Sequence, residues 1–185
     1  VIFSHGSGSS RLSPRNNFVA GKMNQQHFAT LLFDLLTLEE DSIYENRFDI
    51  ELLTERLAEV TYLIAKQRDL TDLHVGYFGA STGAASALKA AALLGDKVKA
   101  VVSRGGRPDL AGEQDLKKVS AATLLVVGER DPVVIELNQE AYKHLHRRAM
   151  VIIPGATHLF EEPGTLEEVT KIALKWFKEH LSASR

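Results

Sequence analysis

Short apolar runs alternating with longer stretches of helical periodicity, from end to end, most narrow what this chain can fold into. The apolar runs lie at residues 1–5, 29–34, 74–79, 98–103, 123–128 and 149–154. Each is rich in Val, Ile, Leu or Phe and bounded by Gly, Asp or Pro, the pattern of a buried strand. Helices are expected at 17–26, 50–67, 81–94, 109–118, 133–146 and 165–181. In 50–67, Leu52, Leu53, Leu57, Val60 and Ile64 recur at helical spacing, so one face is buried. Thr165-Leu166-Glu167-Glu168 has the form of a capping box for the last helix. Continuous apolar strands joined by helices predict a three-layer α/β/α sandwich around a mostly parallel, doubly wound sheet.

Other classes are excluded by composition. The chain has 185 residues, a length suited to a single domain over 1–185. It opens inside a strand with no methionine, which reads as a start within a longer protein, with room for upstream strands. A net charge of −2 gives no footing for nucleic acid or an anionic membrane surface. No apolar run approaches the ~20 residues of a membrane helix. With no cysteine, disulfides, thiolate catalysis and Cys-ligated zinc are excluded, and a reducing cytoplasmic location is expected. The acidic stretch 37–47 is a solvated loop or a substrate lid.

Ligands of an open parallel sheet bind beyond the carboxyl ends of its strands. The residues just past the ends of five of these runs are His5-Gly6-Ser7-Gly8, Ser81, Arg104-Gly105-Gly106-Arg107, Glu129-Arg130-Asp131 and Gly155-Ala156-Thr157-His158. Gly79-Ala80-Ser81-Thr82-Gly83 puts a serine on a tight strand-to-helix turn with its hydroxyl exposed. A serine needs a base, usually a histidine oriented by a carboxylate. Asp131 lies beyond one strand and His158 beyond the next, in the chain order nucleophile, acid, base. The bland alternatives are an N-cap for Ser81, a turn residue for Asp131 and a surface histidine for His158.

With those segments, the chain resembles the α/β-hydrolase superfamily, most closely its small dienelactone-hydrolase-like members without a large cap. The resemblance runs from His5-Gly6 to His158. It implies Ser81 as nucleophile, Asp131 as orienting acid and His158 as general base. The best-known dienelactone hydrolases use cysteine, so it carries a serine mechanism and not the dienelactone substrate. The implied activity is hydrolysis of an ester, thioester or lactone, without cofactor. Acyl transfer or perhydrolysis by the same residues is the rival reading, and a non-catalytic binding module is another.

Oxyanion donors are expected from the N–H of Thr82 and from the glycine loop, with Ser7 first and Gly8 as the alternative. That loop lacks the Gly-Lys-Ser/Thr ending of a phosphate loop and the third glycine of a dinucleotide fingerprint. His5 is expected to brace it through a backbone hydrogen bond. No metal site is expected, because His144 and His146 stand two apart on a helix and face different ways. Arg11, Arg15, Arg104, Arg107 and Arg130 all fall on the expected active edge. Of these, Arg104, Arg107, Arg11 and Arg15 are candidates to bind an anionic small-molecule acyl substrate, the alternative being ion pairs with Asp109, Glu129 or Glu161. Asp34 is a second carboxylate near that edge, positioning substrate or serving the structure.

Overall fold

The strands form because β-rich apolar runs alternate their side chains between two hydrophobic layers. In the computed structural model, which describes residues 1–182, they are β1 (Ile2–Ser4), β2 (Leu31–Leu32), β3 (Val75–Ala80), β4 (Val98–Arg104), β5 (Ala122–Gly128) and β6 (Arg148–Ile153). All pair in parallel, in the order β2-β1-β3-β4-β5-β6. The helices are α1 (Pro14–Asn24), α2 (Leu38–Asp41), α3 (Ile50–Ala65), α4 (Thr82–Leu94), α5 (Glu113–Leu116), α6 (Pro132–His144) and α7 (Thr165–Leu181). This is the expected α/β/α sandwich, with no large cap. No helix among the described residues is long and apolar enough to cross a membrane.

Strand periodicity divides the core in two. Ile2, Tyr77, Val101 and Leu125 point to one face and pack with Leu53 and Leu57 of α3, Leu88 of α4, Leu116 of α5 and Ala141 of α6. Their neighbours Phe3, Phe78, Val102, Leu124 and Val126 point to the other, against Val19 and Met23 of α1 and Val169, Ala173 and Phe177 of α7. The buried Tyr77 hydroxyl is satisfied by Thr61 Oγ1 at 2.7 Å, which makes its burial tolerable. The sheet runs from β1 outward to β2, then returns to β3 on the other side of β1. That reversal is the topological switch point, and a crevice at the carboxyl ends of β1 and β3 results from it.

Several elements differ from expectation for identifiable reasons. β2 has two residues, because only Ile2 and Phe3 offer it partners. The chain then turns away, and the Leu35 N–H is taken by His5 Nε2. The helix expected at 109–118 is broken at Gly112, whose φ of 82° is left-handed. A 3₁₀ turn (Pro108–Ala111) precedes it and α5 comes after. α1 starts at Pro14 under a Ser13 cap, earlier than its apolar periodicity shows. The Thr165 capping box does not form: Thr165 is already helical, and its hydroxyl donates to the Glu162 carbonyl. A capping box occurs instead at Thr37 and Glu40, opening α2 in the acidic stretch. Ion pairs Arg47–Asp41 and Arg56–Glu40 tie that stretch down.

α4 approaches the sheet closely because its inner face is mostly alanine, from Ala84 to Ala91. At Gly83 the approach reaches backbone. A β-carbon there would stand 2.1 Å from the Ser4 carbonyl oxygen and 2.5 Å from that of His5. Gly83→Ala is therefore expected to cost about 1–3 kcal/mol or more, since the clash is with carbonyls that cannot rotate aside. Urea denaturation measures this, and an unchanged midpoint would refute the contact.

Candidate active site

The turn between β3 and α4 holds Ser81 at φ 51° and ψ −123°. Non-glycine residues are rarely held there, and the strain points the side chain outward from the strand end. Ser81 occupies the N-cap position of α4, yet its side chain makes no capping hydrogen bond. The bland reading of this serine thus fails on geometry, and its hydroxyl is left for other work. Neighbouring backbone grips the turn from both sides. Ser81 N–H donates to the Arg104 carbonyl at 3.3 Å, and Arg107 N–H donates to the Ser81 carbonyl at 3.0 Å. Gly6 lies across the turn, where a β-carbon would come within 3.0 Å of Ser81 Cβ.

Asp131 repeats the pattern. It stands at the N-cap of α6 and does not cap. Its Oδ2 instead meets His158 Nδ1 at 2.6 Å. An ionised carboxylate only accepts, so Nδ1 carries the proton and Nε2 is left basic. Two backbone bonds hold the loops together, Glu129 N–H to the Ile153 carbonyl and Arg130 N–H to that of Ala156, and the Glu129 carboxylate adds a third by accepting the Gly155 N–H. Glu162 accepts the Thr157 N–H, and these hydrogen bonds lower its pKa. The Asp131 side chain is 16% exposed and that of His158 38%, so the pair opens to solvent on the histidine side.

The segment 104–107 links the two halves. Gly105, at φ 50°, is approached by His158: a β-carbon there would lie 2.9 Å from the His158 carbonyl oxygen and 3.6 Å from its Cε1. The segment that pairs with the Ser81 backbone therefore also backs the imidazole. Among the described residues no hydrogen bond joins the Ser81 hydroxyl to His158; such bonds commonly tighten only when substrate binds.

The glycine loop after β1 lies beside the Ser81 turn. His5 accepts the Leu35 N–H at Nε2 and donates from Nδ1 to the Gly6 carbonyl, bracing the loop as expected. Ser7 N–H donates to Thr82 Oγ1 at 2.9 Å, and Gly8 takes a φ of 66° in the turn beyond it. A cavity of about 590 Å³ adjoins the loop, lined by residues including Ser9, Ser10, Asp34, Leu36 and Leu38. None of Ser81, Asp131 and His158 lines it.

The arginines separate cleanly. Arg11 pairs with Asp34, Arg15 with Glu161 and Arg107 with Asp109. Asp34 is thereby occupied, and Asp109 raises the Arg107 pKa. Arg104 has no carboxylate partner among the described residues, and its burial lowers its pKa to about 10. Residues that no sequence motif marks also shape the site. Asn138 of α6 is buried and donates to the Gly106 carbonyl at 2.9 Å. An asparagine on the apolar face that carries Val134 and Ala141 was the available signal. Phe160, at φ 56°, carries its ring against Gly105.

A family model described as alpha/beta hydrolase domain matches residues 1–182. The chain belongs to the α/β-hydrolase family. A dienelactone hydrolase structure from Anabaena variabilis is 52% identical, with a TM-score of 0.94, over 98% of this chain and 86% of that one. Est1E from Butyrivibrio proteoclasticus shares the fold at 20% identity and a TM-score of 0.81, over 96% of this hydrolase chain and 86% of its own. Two Mycobacterium tuberculosis proteins named "putative phosphoribosyl transferase", one from each of two strains, are 59% identical over 98% of this chain. The chain spans only 41% of their length.

Asn138→Ala should leave the Gly106 carbonyl without its buried donor. The expected cost is about 1–3 kcal/mol, read as a lowered urea midpoint. A midpoint equal to that of the parent would mean Asn138 does not hold the 104–107 segment.

Proposed function

We propose that this α/β hydrolase is a serine hydrolase cleaving an ester, thioester or lactone through an acyl-enzyme. The observation that carries the reading is the paired failure to cap: Ser81 keeps its hydroxyl free at a strained turn, and Asp131 gives its carboxylate to His158. A merely structural serine or aspartate at a helix start would take the nearby N–H groups.

In the proposed reaction Ser81 Oγ attacks the carbonyl while His158 Nε2 takes its proton. Asp131 keeps the imidazole in the right tautomer and stabilises the imidazolium. The tetrahedral oxyanion lies toward the N-terminus of α4, where the Thr82 N–H has no acceptor within its own helix. Ser7 N–H is the second donor. It rests on a neutral threonine hydroxyl, a weaker acceptor than an oxyanion, and transfers to the oxyanion as charge develops; Gly8 is the alternative. His158 then protonates the leaving group and activates water to release the acid. This chemistry calls for no cofactor.

The phosphoribosyl transferase name belongs to proteins more than twice as long, and we assign the hydrolase chemistry to the part of them that this chain matches. A domain over 1–185, a small-molecule acyl substrate and a cytoplasmic location complete the reading.

Incubation with a fluorophosphonate should add one adduct to the wild-type mass and none to Ser81→Ala. Labelling that persists in Ser81→Ala, or is absent from folded wild type, sinks the reading. On any ester that the wild type turns over, Asp131→Asn should lower kcat on the order of 10³–10⁴-fold by favouring the wrong tautomer. A loss under tenfold would remove Asp131 from the relay.

A further inference from the structure

Arg104 is the residue this site leaves unexplained. It pairs with Ala80 in the β3–β4 register, one residue before Ser81. Its side chain leaves the sheet on the face of Val102, toward α1 and α7. There it is only 7% exposed. A guanidinium has five N–H donors in a rigid fork, and burial without acceptors is costly. Among the described residues the Arg104 side chain makes a single long hydrogen bond, from Nη2 to Asn16 Oδ1 at 3.3 Å, and its Nε finds no partner. The Phe160 ring lies 5.9 Å from its charge centre.

A second cation adjoins it: Arg15 precedes Asn16, which Arg104 touches, and pairs with Glu161, which follows Phe160. Arg15 depresses the Arg104 pKa further, behind burial as the main cause. The Arg15 Nε is likewise buried without a partner among the described residues. Its Nη1 reaches Glu161, an exposed acid that a ligand can displace. Arg15 belongs to the first turn of α1 and Arg104 reaches Asn16 of the same turn, where the helix end adds positive potential. Arg11 and Arg107, by contrast, are engaged by Asp34 and Asp109.

We propose that Arg104 and Arg15 form an anion subsite, and that the substrate carries a carboxylate or phosphate a few bonds from its scissile carbonyl. The anion would sit on the α1 side of His158, because Gly105, next to Arg104, carries both His158 and Phe160. It would satisfy the unused N–H groups of both forks and neutralise two adjacent charges. That the anion belongs to a substrate rests on the serine hydrolase reading; that an anion binds does not.

The test is direct binding to Ser81→Ala, which cannot turn substrate over. Thermal unfolding is followed with phosphate or glutarate against chloride at matched ionic strength. A saturable rise in Tm with either anion, lost in Ser81→Ala/Arg104→Gln and weakened in Ser81→Ala/Arg15→Gln, is expected. Phosphate alone would assign a phosphoryl group and glutarate alone a carboxylate. No rise, or a rise that survives in both double variants, overturns the subsite. If Arg104→Gln does not fold, the Arg15 variant, with a side chain one-third exposed, still decides it. In turnover, the preference for the 4-nitrophenyl monoester of glutarate over 4-nitrophenyl valerate should fall about tenfold or more in Arg104→Gln, through KM. Anion binding without fluorophosphonate labelling would keep the subsite and remove the hydrolase. Labelling without anion binding would do the reverse.

Discussion

Everything at the carboxyl edge of the sheet depends on the junction between the end of β3 and the segment 104–107. Two backbone hydrogen bonds, to and from Ser81, continue the β3–β4 pairing past the last strand residue. They hold a serine in left-handed backbone that no isolated turn would retain. The same segment backs the His158 ring at Gly105, and Asn138 fastens it from α6. One stretch of backbone thus sets the separation of groups that reach it from β3 and from β6. The close seat of Gly83 on the Ser4 and His5 carbonyls fixes the start of α4 against the glycine loop in the same manner.

The site also shows local stability withheld. An N-cap side chain ordinarily contributes about 1 kcal/mol to its helix, and two residues well suited to capping, Ser81 and Asp131, decline to cap. Phe160, a bulky residue at φ 56°, adds strain in the loop that carries His158. Ser81 and Asp131 follow the buried strands β3 and β5, and Phe160 packs the His158 loop into the core, so the surrounding fold can sustain these deficits. Strained or under-satisfied positions of this kind gather where geometry has been set for chemistry and not for stability.

Much of this was legible in the amino-acid order. Strand and helix periodicities placed all six strands, and the five segments at the strand ends were where the structure puts them. Asp131 and His158 stood out because each comes soon after an apolar run. What was not legible depended on local backbone conformation or on distant partners. Thr165 had the letters of a capping box, but Gly164 takes the cap position and turns its hydroxyl to Glu162. Gly112 broke a helix that composition alone allows. The arginines looked equivalent in sequence, and only contacts such as Arg15 with Glu161, 146 residues away, distinguish them. Asn138 was marked in sequence only as an asparagine on an apolar helix face, and its role came from Gly106 opposite it.

The two bonds at Ser81 have a kinetic consequence. Its amide, and that of Arg107, belong to the β3–β4 ladder at the centre of the sheet, with two strands on either side of that pair. Solvent deuterium reaches such amides only through openings that dismantle the ladder. The acidic stretch around α2, tied by ion pairs at the surface, opens by fraying and exchanges early. The turn that holds Ser81 therefore melts with the sheet as one cooperative unit, and heat should remove this geometry in a single step, at the temperature where the fold itself is lost.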